Sequence, residues 1–288
     1  MDFILSAEAA CDLNGEAAKK LSVSIMPMKY YIDGAEYDTA TSEFALSELY
    51  KKMENGAMTS TTQPNEYEIK EYLTGLLSQK KDVLHLSFSS AMSGTCASFK
   101  KVAAELNRTS ENKVTVIDTL CQSSGVALLL SALREKAEKE NFNLSEAAEY
   151  IESIKLSVEH CFAVDTLTYL ARGGRVSSSL AIFGNLIKIK PVLHVDDSGK
   201  IVMIQKVIGK KHALKCLIDR FKKYYLPISK TVYISEANSF SQAEYVKEEI
   251  MKIQPELNVI INPLGPVIAC HSGPGTVALY FTSEGRKK

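Results

Sequence analysis

The sequence predicts an α/β protein of two domains, an N-terminal three-layer α/β/α parallel sheet over 1–155 and a C-terminal mixed-sheet α/β domain over 156–288. Three observations carry that expectation. The chain has 288 residues, 45% apolar and 24% charged, an ordinary globular composition and enough chain for two domains. In its first half a strand-like run, a polar loop and an amphipathic stretch recur, the rhythm of a parallel sheet with helices on its faces. In its second half that rhythm gives way to hairpins, most clearly at Asp196-Asp197-Ser198-Gly199.

Taken in order, 3–6 reads as a short strand and 12–21 as a modest helix. The run 24–32 is extended, with Pro27 marking an edge or a bulge. Ser42 can cap a helix over 43–54, which Asn55-Gly56 stops. A hydroxyl-rich loop over 59–64 leads to a helix over 65–79. A strand over 83–87 passes through a second polar loop into a helix over 95–106. A strand over 114–118 and a long helix over 125–139 follow, and Ser145 caps a further helix that ends near 155.

The second half opens with a strand over 161–166 and a short amphipathic turn carrying Leu167 and Leu170. Gly173-Gly174 then stands between Arg172 and Arg175. Paired glycine allows positive φ and close backbone approach, but the residues alone fit a solvated structural turn equally well. Ser177, Ser178 and Ser179 can cap a helix with Leu180, Ile182, Phe183, Leu186 and Ile187. Strands over 191–195 and 201–207, a helix over 210–224, a strand over 231–235 and a helix over 239–253 come next. Strands over 258–262, 267–270 and 277–281 close the chain.

Charge and cysteine usage narrow the function classes. Lys+Arg and Asp+Glu both number 34, so nothing drives the whole chain toward nucleic acid or an anionic membrane. No apolar run is long enough to span a bilayer, and the acidic start MDFILSAE does not read as a signal peptide. The six cysteines are scattered without a C-x-x-C, so no zinc or thioredoxin signature arises and a reducing, cytoplasmic setting fits. No P-loop, no G-x-G-x-x-G after the first strand and no metal-ligand cluster is present, so neither a metal nor a nucleotide cofactor is expected.

Ser93-Gly94-Thr95 opens the helix over 95–106 after a strand, a place where unpaired N–H groups meet an anion. Taken alone, such a loop reads first as a plain helix cap. His271 alone reads first as a satisfied core or turn histidine; His85, His160, His194 and His212 show no ligand spacing.

Four stretches in order resemble the DegV family, the bacterial fatty-acid-binding proteins. Thr61-Thr62-Gln63-Pro64 is similar to its T-S-Q-P, and 89–95, SSAMSGT, to its S-S-x-x-S-G-T. Val164-Asp165-Thr166-Leu167, Tyr169-Leu170, Gly173-Gly174-Arg175-Val176-Ser177 and Ile189-Lys190-Pro191 are similar to its central motif. The stretch 265–275, GPVIACHSGPG, is similar to its G-P-V-I-x-x-H-x-G-P-G. The resemblance implies a two-domain protein that binds one long-chain fatty acid and is not an enzyme. It implies that Thr61 and Ser93, with Gly94, Thr95 and His271, hold the carboxylate while the acyl chain is buried in the second domain. Thr62, Arg172 and Arg175 are left as contacts to the head group or to a partner. That partner is a separate ATP-dependent fatty-acid kinase, to which members of the family present the lipid for acyl-phosphate formation.

Two departures bear on that picture. The family opens with an acidic residue, Ser and Thr, where this chain has Glu8-Ala9-Ala10; it often has arginine where this chain has Ile208. Two other classes compete with the binding protein: a nucleotide-dependent transferase with its site at the domain junction, and a regulatory binding module. The first lacks the nucleotide motifs and the second lacks basic character.

Overall fold

The computed structural model describes residues 1–41, 45–176 and 188–286. The proposed caps Ser42 and Ser177 to Ser179, and the apolar residues Leu180, Ile182, Phe183, Leu186 and Ile187, lie outside them.

The N-terminal half is built on four parallel strands, β1 (Phe3–Glu8), β2 (Val23–Met26), β6 (Asp82–Ser87) and β7 (Val114–Asp118), in the order β2-β1-β6-β7. Each crossover carries helix, as parallel connections require. These helices are α1 (Gly15–Lys20), α2 (Leu46–Glu54), α3 (Glu66–Leu77) and α4 (Thr95–Leu106). Asn65 closes a reciprocal capping box with Glu68 at the start of α3, which pins where the chain leaves the loop before it. Asn143, not Ser145, plays the same part for α6 (Leu144–Ile154).

A separate three-stranded antiparallel sheet sits beside the parallel one: β4 (Ala35–Asp38), β3 (Lys29–Ile32) and β5 (Thr59–Thr62). This differs from the sequence reading in two places. The run 24–32 is two strands in two sheets, broken around Pro27, and the hydroxyl-rich loop is largely strand β5. The turn between β3 and β4 is Asp33-Gly34, both at positive φ, the geometry that closes a tight hairpin.

The C-terminal half forms a six-stranded mixed sheet in the order β10-β9-β8-β13-β11-β12. Its strands are β8 (Val158–Ala163), β9 (Ile189–Val195), β10 (Ile201–Ile208), β11 (Thr231–Glu236), β12 (Asn258–Pro263) and β13 (Val277–Thr282). Only β11 and β12 pair in parallel; α9 (Phe240–Ile253) crosses between them, while α8 (Lys210–Tyr224) follows β10. The strand expected over 267–270 is a helix, α10 (Pro266–Ser272). Proline at its first turn loses no hydrogen bond there, and Gly273 at φ +78 ends it.

The largest hydrophobic cluster spans both halves. Helix α5 (Ser124–Ala137) is buried continuously from Ser124 to Leu133, so it is a central rod rather than a surface helix. Leu5, Leu84 and Ile117 of the parallel sheet and Phe162, Leu193 and Tyr280 of the mixed sheet belong to the same cluster as this rod. Two side-chain bonds fix it to the mixed sheet: Ser124 to Ser235 at 2.8 Å and Ser131 to Tyr233 at 2.9 Å.

Candidate functional site

The carboxyl ends of β1 and β6, the end of β5 and the end of α10 converge on one cavity. Its empty space, with the open mouth and adjoining solvent included, is about 930 Å³. Much of its wall is apolar, with Met28, Phe88 and Met92 from the N-terminal half facing Phe162, Leu170 and Ile201 from the C-terminal half.

The polar end is built by two pairs of hydroxyl partners. Strand β5 carries Thr61, whose Oγ1 lies 2.8 Å from His271 Nε2 on α10. The turn before α4 carries Ser93, whose Oγ lies 2.8 Å from Thr95 Oγ1 and accepts from the Thr95 N–H at 3.3 Å. Helix α4 has no side-chain cap at its N-cap residue Gly94, so its first turn keeps N–H groups to offer to an anion. Glycine at 94 lets that turn pack against Gln63: a Cβ there would lie 3.3 Å from Gln63 Cδ and nearer still to Oε1.

The Gly173-Gly174 pair earns its place in the same way. It ends α7 (Thr168–Arg172), which packs against α10. Gly174 takes φ +68. Gly173 is helical in φ and ψ, but a Cβ there would lie 2.9 Å from His271 Cε1 and nearer still to Nδ1. The bare glycine backbone therefore forms the wall against which the imidazole rests.

His271 is held neutral. Burial, aided by the Arg175 guanidinium, pushes its pKa down to about 4. A neutral ring has one N–H, and the Thr61 hydroxyl has one O–H. Their mutual bond uses one of these two protons. If the ring donates from Nε2, the Thr61 hydroxyl is left free to donate to a third group, which is the arrangement an anion needs. Arg175 supplies the local positive charge: its Nε donates to Met92 O at 3.1 Å and its Nη1 to Gly173 O, so among the described residues it binds carbonyls rather than carboxylates.

Of the residues singled out in the sequence, Thr61, Thr62, Ser93, Gly94, Thr95, Arg175 and His271 all line this cavity. Arg172 does not; it is exposed and its guanidinium lies 5.8 Å from the Tyr169 ring centroid. Ala10, in the stretch where hydroxyls were missing, lines the wall with a methyl group.

Sequence reasoning passed over Glu8 as a wall residue. It is buried and accepts from Ser87 Oγ at 2.6 Å and the Phe88 N–H at 3.0 Å, with His85 Nε2 3.5 Å away. Burial acts to raise its pKa, but His85 and these donors outweigh it and hold the carboxyl below its usual range. Gln122 and Tyr280 were also passed over, because they stand far along the chain from any motif and only the fold brings them in.

Among the described residues, no helix is long and apolar enough to cross a membrane, and no cluster of three or more side chains could hold a metal. All six cysteines are free thiols.

A family profile described as "Uncharacterised protein, DegV family" matches residues 5–284. A DegV domain-containing protein of Clostridium perfringens is 32% identical over 285 residues, 98% of each chain. Among solved structures, a fatty-acid-binding DegV family protein from Thermus thermophilus superposes with a TM-score of 0.86 at 27% identity, covering 98% of this chain and all of that one. A fatty-acid-binding DegV family protein from Streptococcus agalactiae gives 0.83 at 27% identity, covering 99% of this chain and all of that one.

Proposed function

The chain belongs to the DegV family, and from that premise we propose that it binds one long-chain fatty acid in this cavity. The carboxylate is held by the Thr61 and Ser93 hydroxyls, by Gly94 and Thr95 at the start of α4, and by His271. One observation carries the reading: a hydroxyl pair, Ser93 with Thr95, a hydroxyl–imidazole pair, Thr61 with the neutral His271, and Arg175 meet in a cavity whose wall is otherwise largely apolar. The fatty-acid binding of the Thermus and Streptococcus relatives supports it.

The energetics suit such a ligand. An ionised carboxylate buried without partners is costly, and several donors are on hand for it. A tail of about fifteen methylenes gains roughly 0.8 kcal/mol each, on the order of 12 kcal/mol gross, part of which is spent in ordering the chain. The tail thus supplies affinity and the polar end fixes direction.

In this reading the protein is a binding protein and not an enzyme, and it works in the cytoplasm. Its domains are 1–155 and 156–288, with wall residues from both. Its partner is a fatty-acid kinase subunit that phosphorylates the presented carboxylate; Thr62, Arg172 and Arg175 are the contacts to that subunit or to the head group. The test is calorimetric titration of delipidated protein with palmitic acid and with the matching alcohol. Saturable binding of the acid near one equivalent, and weaker binding of the alcohol, is expected. No heat of binding for either would refute the proposal.

A further inference from the structure

A buried carboxyl group outside the cavity ties together stretches of its wall. Asp12 follows β1 in the left-handed region, at φ 55, and is 6% exposed. Its Oδ1 accepts from the Gly265 N–H at 2.9 Å, and its Oδ2 accepts from Ser123 Oγ. Its backbone carbonyl accepts from Asn262 Nδ2 at 3.4 Å. Gly265 is the N-cap residue of α10, and Ser123 is that of α5. The wall residues Leu264 and Gln122 stand next to these two donors in the chain, while Asp12 itself is not a wall residue.

The node is closely held. A Cβ at Gly265 would lie 2.8 Å from Asp12 Oδ1, so a side chain there would push the carboxyl off that N–H. Ser123 takes φ 51 and ψ −138, a region that L-residues seldom occupy. Such backbone costs free energy and persists where its surroundings over-determine it. The bond from Ser123 Oγ to Asp12 is part of what holds it there.

Helix α10 has seven residues, and His271 is the sixth. At 1.5 Å per residue the imidazole stands only about 9 Å along the axis from Gly265. A helix this short moves as one piece, so a shift at its start is a shift of His271 against Thr61, 2.8 Å away. Tyr50 OH donates to Leu264 O at 2.6 Å and Thr59 Oγ1 to Cys270 O at 3.2 Å, but neither tie reaches α5. Asp12 bonds to both helices at once.

We propose that Asp12 is a positioning residue of the head-group site: by fixing the start of α10 against α5, it sets the His271–Thr61 contact that receives the carboxylate. This rests on the fatty-acid reading above and adds to it a residue that touches no ligand.

The experiment is titration of delipidated full-length protein with palmitic acid and with its methyl ester. In Asp12→Ala, acid affinity should fall about tenfold while ester affinity changes little. The amide of Asp12→Asn still accepts from the Gly265 N–H and can donate to Ser123 Oγ, so it should restore most of the loss. In a His271→Ala background, Asp12→Ala should cost the acid nothing further. The His271 imidazole nitrogen resonances, read by NMR, should shift in Asp12→Ala and return in Asp12→Asn. Urea melts check that each variant is folded. Should Asp12→Ala not fold, Ser123→Ala, which frees Asp12 from α5 alone, should show the same selective loss in smaller measure. Equal losses for acid and ester, or the same loss with and without His271, would overturn the inference and leave the fatty-acid site standing. So would an unchanged acid affinity in the folded variant. Wild-type protein that binds neither acid nor ester would overturn both readings together.

Discussion

Gly173→Ala isolates the contact between the glycine turn and the imidazole. The backbone at 173 has φ −73 and ψ −7, which alanine adopts freely. Without a clash, the substitution would therefore stabilise the protein by about 0.4–1 kcal/mol through the unfolded chain. The added methyl, however, falls on the His271 ring. Overpacking of this kind costs about 1–3 kcal/mol, so a net loss on the order of 1–2 kcal/mol is expected. The ring must also shift from its 2.8 Å contact with Thr61. Fatty-acid affinity should fall by about 1–3 kcal/mol as that donor is disturbed. The control is the same substitution in a His271→Ala background, where the clash is gone. There Gly173→Ala should be neutral or stabilising, and should leave affinity where His271→Ala put it. Urea unfolding and fatty-acid titration of all four proteins complete the cycle. An equal loss of stability and affinity in both backgrounds would show that Gly173 does not act through His271.

Other perturbations test the remaining parts of the site. Thr61→Val and Ser93→Ala each remove one donor and should cost about 1–3 kcal/mol of affinity; titration should show a larger loss for the acid than for its methyl ester. His271, with its pKa pushed down to about 4 from 6.5, takes up its proton more readily in the unfolded chain. Its contribution to stability should thus fall as pH drops through 6.5 toward 4 and level off below. His271→Gln should flatten the acid loss by up to ~3 kcal/mol, read from urea melts at neutral pH and near pH 4. Ile208 is 70% exposed at the end of β10, where the resemblance implies arginine. Ile208→Arg should raise acyl-phosphate output in a coupled assay with purified kinase and ATP, with lipid affinity unchanged. Full wild-type output with no gain would show the departure to be harmless.

Much of the fold is legible where periodicity and caps agree. Helices Thr95–Leu106 and Lys210–Tyr224 fall where their apolar spacing puts them. The short apolar run 267–270 misleads because periodicity cannot separate a strand from a buried helical turn at that length. Its flanks held the answer: Pro266 starts helices and Gly273 ends them. The hairpin at Asp33-Gly34 also carried its signature, masked by reading 24–32 as a single strand. Strand β5 escaped notice because Thr-Ser-Thr-Thr has the composition of a loop, and only pairing with β3 makes it a strand. For the candidate site, the motif loops are legible because hydroxyls, glycines and the histidine are local features, and their residues line one cavity. The wall was not legible. Phe162, Ile201 and Tyr280 lie on different strands, and their common face exists only once the mixed sheet is assembled against α5. Arg172 and Arg175 look equivalent in sequence, yet the chain turning through Gly173-Gly174 sends Arg175 to the cavity and leaves Arg172 over Tyr169.

The central claim, that the cavity holds a fatty acid, is tested most directly by what the protein carries when purified from a heterologous host. Denaturing extraction followed by mass spectrometry should release a long-chain fatty acid at close to one equivalent per chain. The yield should drop in a Thr61→Val, Ser93→Ala double variant. A protein that releases no lipid, and that after purification takes up no labelled fatty acid, would contradict the account.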